Sequence, residues 1–250
     1  MHSTEWELRV QLAGTYRIID HLGWSELIWT HTTVRLPGPD HHFLINPYGL
    51  RFDEVNASNL VKVDSGGNII GDEEQEINPA GFVIHSAIHM ARPDVQCILH
   101  THTVAGMAIA SLESGILPIS MYALGYYGQV AYHDFEGPSL DLDERVRLGA
   151  NLGSNNILIL RNHGLLTCGE SVAQAFVRMY RLERACQVQL AAQATGSKLA
   201  IPPQHICELS AERSDHFLST KGGDGYSRRA NPEFAALLRL MDLKDPSYRT

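Results

Sequence analysis

The sequence predicts a layered α/β (or α+β) domain, and three observations carry that expectation. Short apolar runs rich in Val, Ile and Leu alternate with longer stretches whose apolar residues recur at helical spacing. Proline, glycine and Asn/Asp turns separate the two kinds of segment. The chain has 250 residues and shows neither an internal repeat nor a low-complexity segment. One domain spanning 1–250, with 222–250 as a C-terminal tail, accommodates it. Strands are expected to cluster early, with helices before, between and after them.

Residues 4–22 read as an amphipathic helix with Leu8, Leu12, Tyr16 and Ile19 on one face and Gly23 as its stop. Leu27-Ile28-Trp29 and the run 32–36 suggest a strand that turns at Pro37-Gly38-Pro39-Asp40 into a hairpin partner, Phe43-Leu44-Ile45. A second hairpin joins Leu60-Val61-Lys62-Val63 to Ile69-Ile70. Pro79 opens a helix over 80–91, which ends before Arg92-Pro93 because a residue preceding proline disfavours the helical region. A strand at Val95-Gln96-Cys97-Ile98-Leu99 follows, then a helix over 104–113 ended by Gly115. Gly128-Gln129-Val130-Ala131-Tyr132 reads as a strand, 143–153 as a helix and Asn156-Ile157-Leu158-Ile159-Leu160 as another strand.

The longest helix covers 171–194. Its stripe of Val172, Ala175, Phe176, Met179 and Leu182 faces the core, while Arg178, Arg181 and Arg184, with Glu183 among them, read as a solvated face. Gly222-Gly223-Asp224-Gly225 is a flexible break that lacks the strand-turn-helix context of a phosphate loop, and 233–241 offers one more short helix.

Composition excludes several functions. A net charge of −8, with no basic cluster, argues against a nucleic-acid partner. No apolar run approaches the roughly 18 residues of a membrane span. The polar start Ser3-Thr4-Glu5-Trp6-Glu7 carries no secretory signal. Cys97, Cys168, Cys186 and Cys207 form no CxxC pair and read as reduced core thiols. A soluble, cytoplasmic protein is the expectation.

The chemistry is concentrated in His100-Thr101-His102, at the end of an apolar strand. Alternate strand residues share a face, so the two imidazoles project together. Neutral imidazole is a common ligand of zinc and similar ions. A second strand runs into Arg161-Asn162-His163-Gly164, delivering a third histidine. Three histidines with one open position suit a catalytic metal more than a structural one. Gly164 permits tight turning and close approach.

These residues, together with Asn78-Pro79-Ala80-Gly81-Phe82 and His85, resemble the class II aldolase/adducin family over nearly the whole chain. Gly23-Trp24-Ser25 and the Asn-Pro-Ala-Gly-Phe stretch are similar to its adducin-head branch. The resemblance implies a three-layer α/β/α sandwich, a homotetramer with interfacial sites, and His100, His102 and His163 as ligands of a divalent metal, zinc first, with manganese or iron as alternatives. It also implies that Tyr122 acts on substrate as a catalytic residue. The family's aldolases carry an acidic general acid/base where this chain has Gly81, and their phosphate-holding serines correspond to Pro79 and Ala80. Their Gly-Asn phosphate contact falls near Thr30-His31. The substrate implied is therefore a small, unphosphorylated hydroxy or keto acid.

Retro-aldol cleavage and decarboxylation both pass through an enolate-type anion that a metal stabilises, and decarboxylation needs no base to begin. Tyr122, Glu76, His31 and His89 are the candidates for proton transfer. Glu76 sits in an acidic linker, and His85 and His89 share a helix face that favours a structural role. A non-catalytic, adducin-like interaction domain is the main alternative to a lyase, and a three-histidine iron oxygenase is the third.

Overall fold

The structure is a computed structural model that describes residues 4–71, 75–137, 143–218 and 232–250. Helix α1, Glu5–His21, starts at a reciprocal cap. The Thr4 hydroxyl accepts from the Glu7 N–H, and the Glu7 carboxylate accepts from the Thr4 N–H. It ends where Gly23 turns left-handed (φ +70°). The Gly23 N–H then bonds the Asp20 carbonyl and the Trp24 N–H bonds the Ile19 carbonyl, closing two otherwise unpaired helix-end carbonyls.

Strands β1 (His31–Arg35), β2 (Phe43–Ile45) and β3 (Val61–Val63) form an antiparallel meander. Leu27-Ile28-Trp29 is not part of it. Leu27 and Thr30 both take left-handed backbone angles (φ +51° and +67°), which a ladder cannot contain, and only a single bridge joins Glu26 to Trp29. Ile69 likewise makes one bridge to Val63.

Helix α2 (Pro79–Ala91) leads to β4 (Cys97–Thr101) and α3 (Val104–Ala110). Helix α3 stops three residues before the predicted end, at Ser111. A short helix α4 (Met121–Leu124), capped by the Ser120 hydroxyl, was not anticipated. Then follow β5 (Val130–His133), α5 (Glu144–Leu152), β6 (Ile157–Leu160), β7 (Gly164–Gly169) and α6 (Val172–Ala194). The chain continues with α7 (Gln204–Leu218), α8 (Pro232–Lys244) and a 3-10 turn, Pro246–Arg249. The sequence reading missed β7 and α7. Four of the strands lie after residue 96, so strands do not cluster early. The break at Gly222–Gly225 lies outside the described residues.

The strands form one seven-stranded sheet in the order β3-β2-β1-β4-β7-β6-β5. Among the described residues, only β5 and β6 pair in parallel. Alternation then sorts side chains into two cores. Cys97, Leu99, Ile157, Ile159 and Leu165 pack with α1, α3, α6 and α8 on one face. Ile98, Leu158, Leu160, Leu166 and Cys168 pack with α2 and α5 on the other. This is the expected three-layer α/β/α sandwich. Phe234, Met241 and Tyr248 join the first core, so residues 232–250 fold back onto α1.

The α6 stripe is buried as expected, and all four cysteines are free and buried. Arg178 corrects the solvated-face expectation: it is buried and donates to the Cys168 carbonyl at 2.7 Å. Positions 178, 181 and 184 drift around the helix, which turns 3.6 residues at a time, so they do not share one exposure. Among the described residues, no helix is long and apolar enough to cross a membrane.

Candidate metal centre

Antiparallel pairing of β4 with β7 builds the site. Thr101 lies opposite Leu165 and His100 opposite Leu166, so the β6–β7 turn sits beside the end of β4. That turn is residues 161–163, with Asn162 left-handed (φ +56°). The Asn162 N–H bonds the Ala110 carbonyl and the Arg161 N–H bonds the His133 carbonyl, fixing the loop to its neighbours. His163 closes the turn.

The three imidazoles converge. Nε2 of His102 lies 2.8 Å from Nε2 of His100 and 2.9 Å from Nε2 of His163, and one ligand atom from each residue lies within 4.8 Å of the others. Tetrahedral zinc, with bonds of about 2.0–2.1 Å, separates its ligand nitrogens by about 3.3 Å. Opening the trio by a few tenths of an ångström admits such an ion, so the donor set fits a divalent metal.

The outer nitrogens are held. His100 Nδ1–H donates to the Leu165 carbonyl at 2.9 Å. His102 Nδ1–H donates to the Glu26 carboxylate at 2.5 Å. Each bond leaves the Nε2 lone pair facing the common point, which is how backing groups orient metal ligands. Burial holds His100 well below the usual imidazole pKa, with His102 and His163 adding to the effect. Burial, then His102, lowers His163 to about 4. Both are therefore neutral near pH 7, the form that binds metal.

Glu26 was missed by the sequence reading, which assigned its neighbours to a strand. The left-handed turn at Leu27 and Thr30 is what swings it over His102, and a carboxylate 76 positions upstream leaves no local signal. Glu183, expected on a solvated face, is instead a second such residue. Buried on α6, it accepts from the Thr103 hydroxyl at 2.5 Å, and Thr103 in turn caps α3 immediately after His102. Gly164 is needed for approach: a Cβ there would sit 2.5 Å from the Thr101 carbonyl oxygen and 3.1 Å from the His102 ring.

The remaining candidates divide. Tyr122 is half-buried on α4, which packs against α6 and α7; neither helix carries one of the three histidines. Glu76 is exposed in its loop. His85 and His89 are buried, and both bond the Thr33 hydroxyl, at 2.7 and 2.8 Å, in keeping with a structural role. Gly81 packs against the ring of His31.

Fold and site together define a three-layer α/β/α protein with a three-histidine cluster at a strand end. The family model for the class II aldolase and adducin N-terminal domain matches residues 10–190. An aldolase II superfamily protein of Pseudomonas syringae is 46% identical, with a TM-score of 0.91 and coverage of 100% of this chain and 98% of that one. L-fuculose 1-phosphate aldolase of Glaciozyma antarctica is 32% identical, with a TM-score of 0.84 and coverage of 100% and 96%. Alpha-adducin of Rattus norvegicus is 41% identical over 97% of this chain, which spans only 34% of that protein. The chain belongs to the class II aldolase and adducin N-terminal domain family.

Proposed function

We propose that the chain is a metal-dependent lyase that cleaves a carbon–carbon bond of a small, unphosphorylated hydroxy or keto acid, by retro-aldol reaction or decarboxylation. The observation that carries this reading is the convergence of three imidazole nitrogens, two of the rings with their outer nitrogens anchored. His100, His102 and His163 would hold the ion, zinc first and manganese second. When bound, the ion supplies a Lewis acid that withdraws electrons from a substrate oxygen. Glu26 and the Leu165 carbonyl keep the ligands oriented.

Position 81 offers no carboxylate, which weighs toward decarboxylation, since that reaction begins without proton removal. Tyr122 is the proposed proton donor. Among the described residues of one chain no contact joins it to the cluster, so its part in the site requires the interfacial geometry of the proposed homotetramer. We assign the protein to the cytoplasm. The similarity to alpha-adducin favours the second reading, an interaction domain without catalysis.

Elemental analysis of protein purified without added metal separates the two. About one zinc or manganese per chain, followed by turnover of a 2-hydroxy or 2-keto acid, supports the lyase. Iron with oxygen uptake would instead support the oxygenase. Protein that neither contains nor takes up metal would favour the interaction domain.

A further inference from the structure

The three ligands are not held alike. His100 and His102 are oriented through their outer nitrogens, by the Leu165 carbonyl and the Glu26 carboxylate. His163 makes no such bond through Nδ1 among the described residues; its hydrogen-bonded contact is Nε2 to Nε2 of His102. Its placement therefore falls to the turn that carries it.

Helix α3 spans the gap between His102 and that turn. It begins two residues after His102, and seven residues at about 1.5 Å each make it a strut of about 10 Å. Its start is fastened by Thr103, whose hydroxyl accepts from the Gly106 N–H and donates to the buried Glu183 carboxylate. At its end the Ala110 carbonyl, left without a partner inside the helix, accepts the Asn162 N–H. Arg161 reaches the turn that follows: Nη1 donates to the Leu112 carbonyl and Nη2 to the Glu113 carbonyl at 3.3 Å.

The guanidinium is itself held in place. Its Cζ lies 4.3 Å from the centre of the Tyr132 ring, a cation–π contact. The Tyr132 hydroxyl accepts from the Ile116 N–H at 3.1 Å. Gly115, left-handed at φ +58°, makes room for it, since a Cβ there would lie 2.3 Å from the hydroxyl oxygen. The Arg161 N–H bonds the His133 carbonyl of β5 at 2.8 Å. One residue thus ties β5 and the exit of α3 to the turn, two positions ahead of the ligand.

We propose that Arg161 is a positioning residue of the metal centre: by clamping the β6–β7 turn to the exit of α3, it sets the separation of His102 and His163. The proposal rests on the metal-dependent reading above. Without the clamp, backbone bonds alone would hold the turn, and the one ligand lacking an outer anchor would lose its alignment.

The test loads the full chain with cobalt(II). Affinity is read by competition with a chromophoric chelator, and coordination geometry from the visible absorption of the bound ion. Arg161→Ala is expected to weaken cobalt binding about tenfold or more and to change the absorption, as removal of groups that orient metal ligands does. Arg161→Lys keeps the charge but cannot span two carbonyls, and should recover part of the affinity.

Arg92→Ala is the structural comparison. Arg92 donates to the Gly153 and Asn155 carbonyls at 3.0 and 2.7 Å, ahead of β6 and at the opposite end of that strand from His163. Its loss should lower the urea midpoint and leave cobalt affinity and absorption as in wild type. Affinity within about twofold of wild type, with unaltered absorption, in Arg161→Ala would overturn the proposal whatever its urea midpoint. An equal loss of affinity in Arg92→Ala would also overturn it, by tracing the effect to general destabilisation. Should Arg161→Ala fail to fold, Arg161→Lys decides: weaker binding with altered absorption supports the proposal, and wild-type values overturn it. Wild-type protein that takes up no cobalt would defeat the metal-dependent reading and the proposal with it, a result distinct from variants that bind as the wild type does.

Discussion

The three histidines at the strand end and the three buried beside α2 are chemically identical and structurally opposite. His100, His102 and His163 aim free Nε2 atoms at one point, and two of them have their Nδ1 atoms anchored outward, on a backbone carbonyl and on a carboxylate. His85 and His89 turn inward to share one hydroxyl, Thr33, which can donate to only one of them and must accept from the other. His89 also stacks on Phe43, 4.4 Å between ring centres. The lesson is that the partner of the second ring nitrogen, more than the residue type, separates a candidate metal ligand from a core histidine.

Breaking the first trio should have the largest effect. His100→Ala or His163→Ala is expected to take metal from about one ion per chain to nearly none, with the circular dichroism spectrum retained. Full metal content in both variants would refute the assignment.

Gly164→Val sharpens the comparison by attacking the approach of the two strands. Overpacking against the Thr101 carbonyl is expected to cost about 2–3 kcal/mol, read as a lower urea midpoint, with metal content falling alongside. An unchanged midpoint would mean that the close approach is not needed.

Glu26→Ala leaves all three ligands in place and removes only the backing of His102. A loss of about 10–100-fold in zinc affinity is expected, measured by competition with a chromophoric chelator.

The buried trio should declare itself through pH. Burial holds His31, His85 and His89 well below the ordinary value of 6.5, so the folded chain keeps them neutral. The unfolded chain protonates them as pH falls through about 6.5. The unfolded state then binds more protons, so their contribution to stability is complete above that pH and declines below it. The urea midpoint of metal-free protein should accordingly drop between pH 7.5 and 5.5. Replacing His85 and His89 by Gln should flatten the drop.

Much of this was legible in the sequence because it is local. The alternation in Ile157-Leu158-Ile159-Leu160 dictates which side chains face each core, whatever the strand's neighbours. The glycine stop at Gly23 is written at the helix end itself. His100 and His102 share a face because the strand period is two.

What failed was local signal overridden or absent. Leu27-Ile28-Trp29 has strand composition, yet the turn that brings Glu26 to His102 requires left-handed angles there. Strand β7 was hidden because it follows β6 after only three residues, and Gly164 read as a loop residue when it in fact begins a strand.

The sequence by itself determined the layered α/β character, the two-histidine motif and the candidacy of His163, since each rests on periodicity or near-neighbour spacing. Tertiary structure alone decided that β4 and β7 pair so as to bring His163 to the others. It also decided that Glu26 backs the site from 76 residues away and that the ring of His31 takes the space beside Gly81. Such contacts depend on strand register and helix packing across the sheet, free energies summed over many residues at once, and no short stretch of chain encodes them.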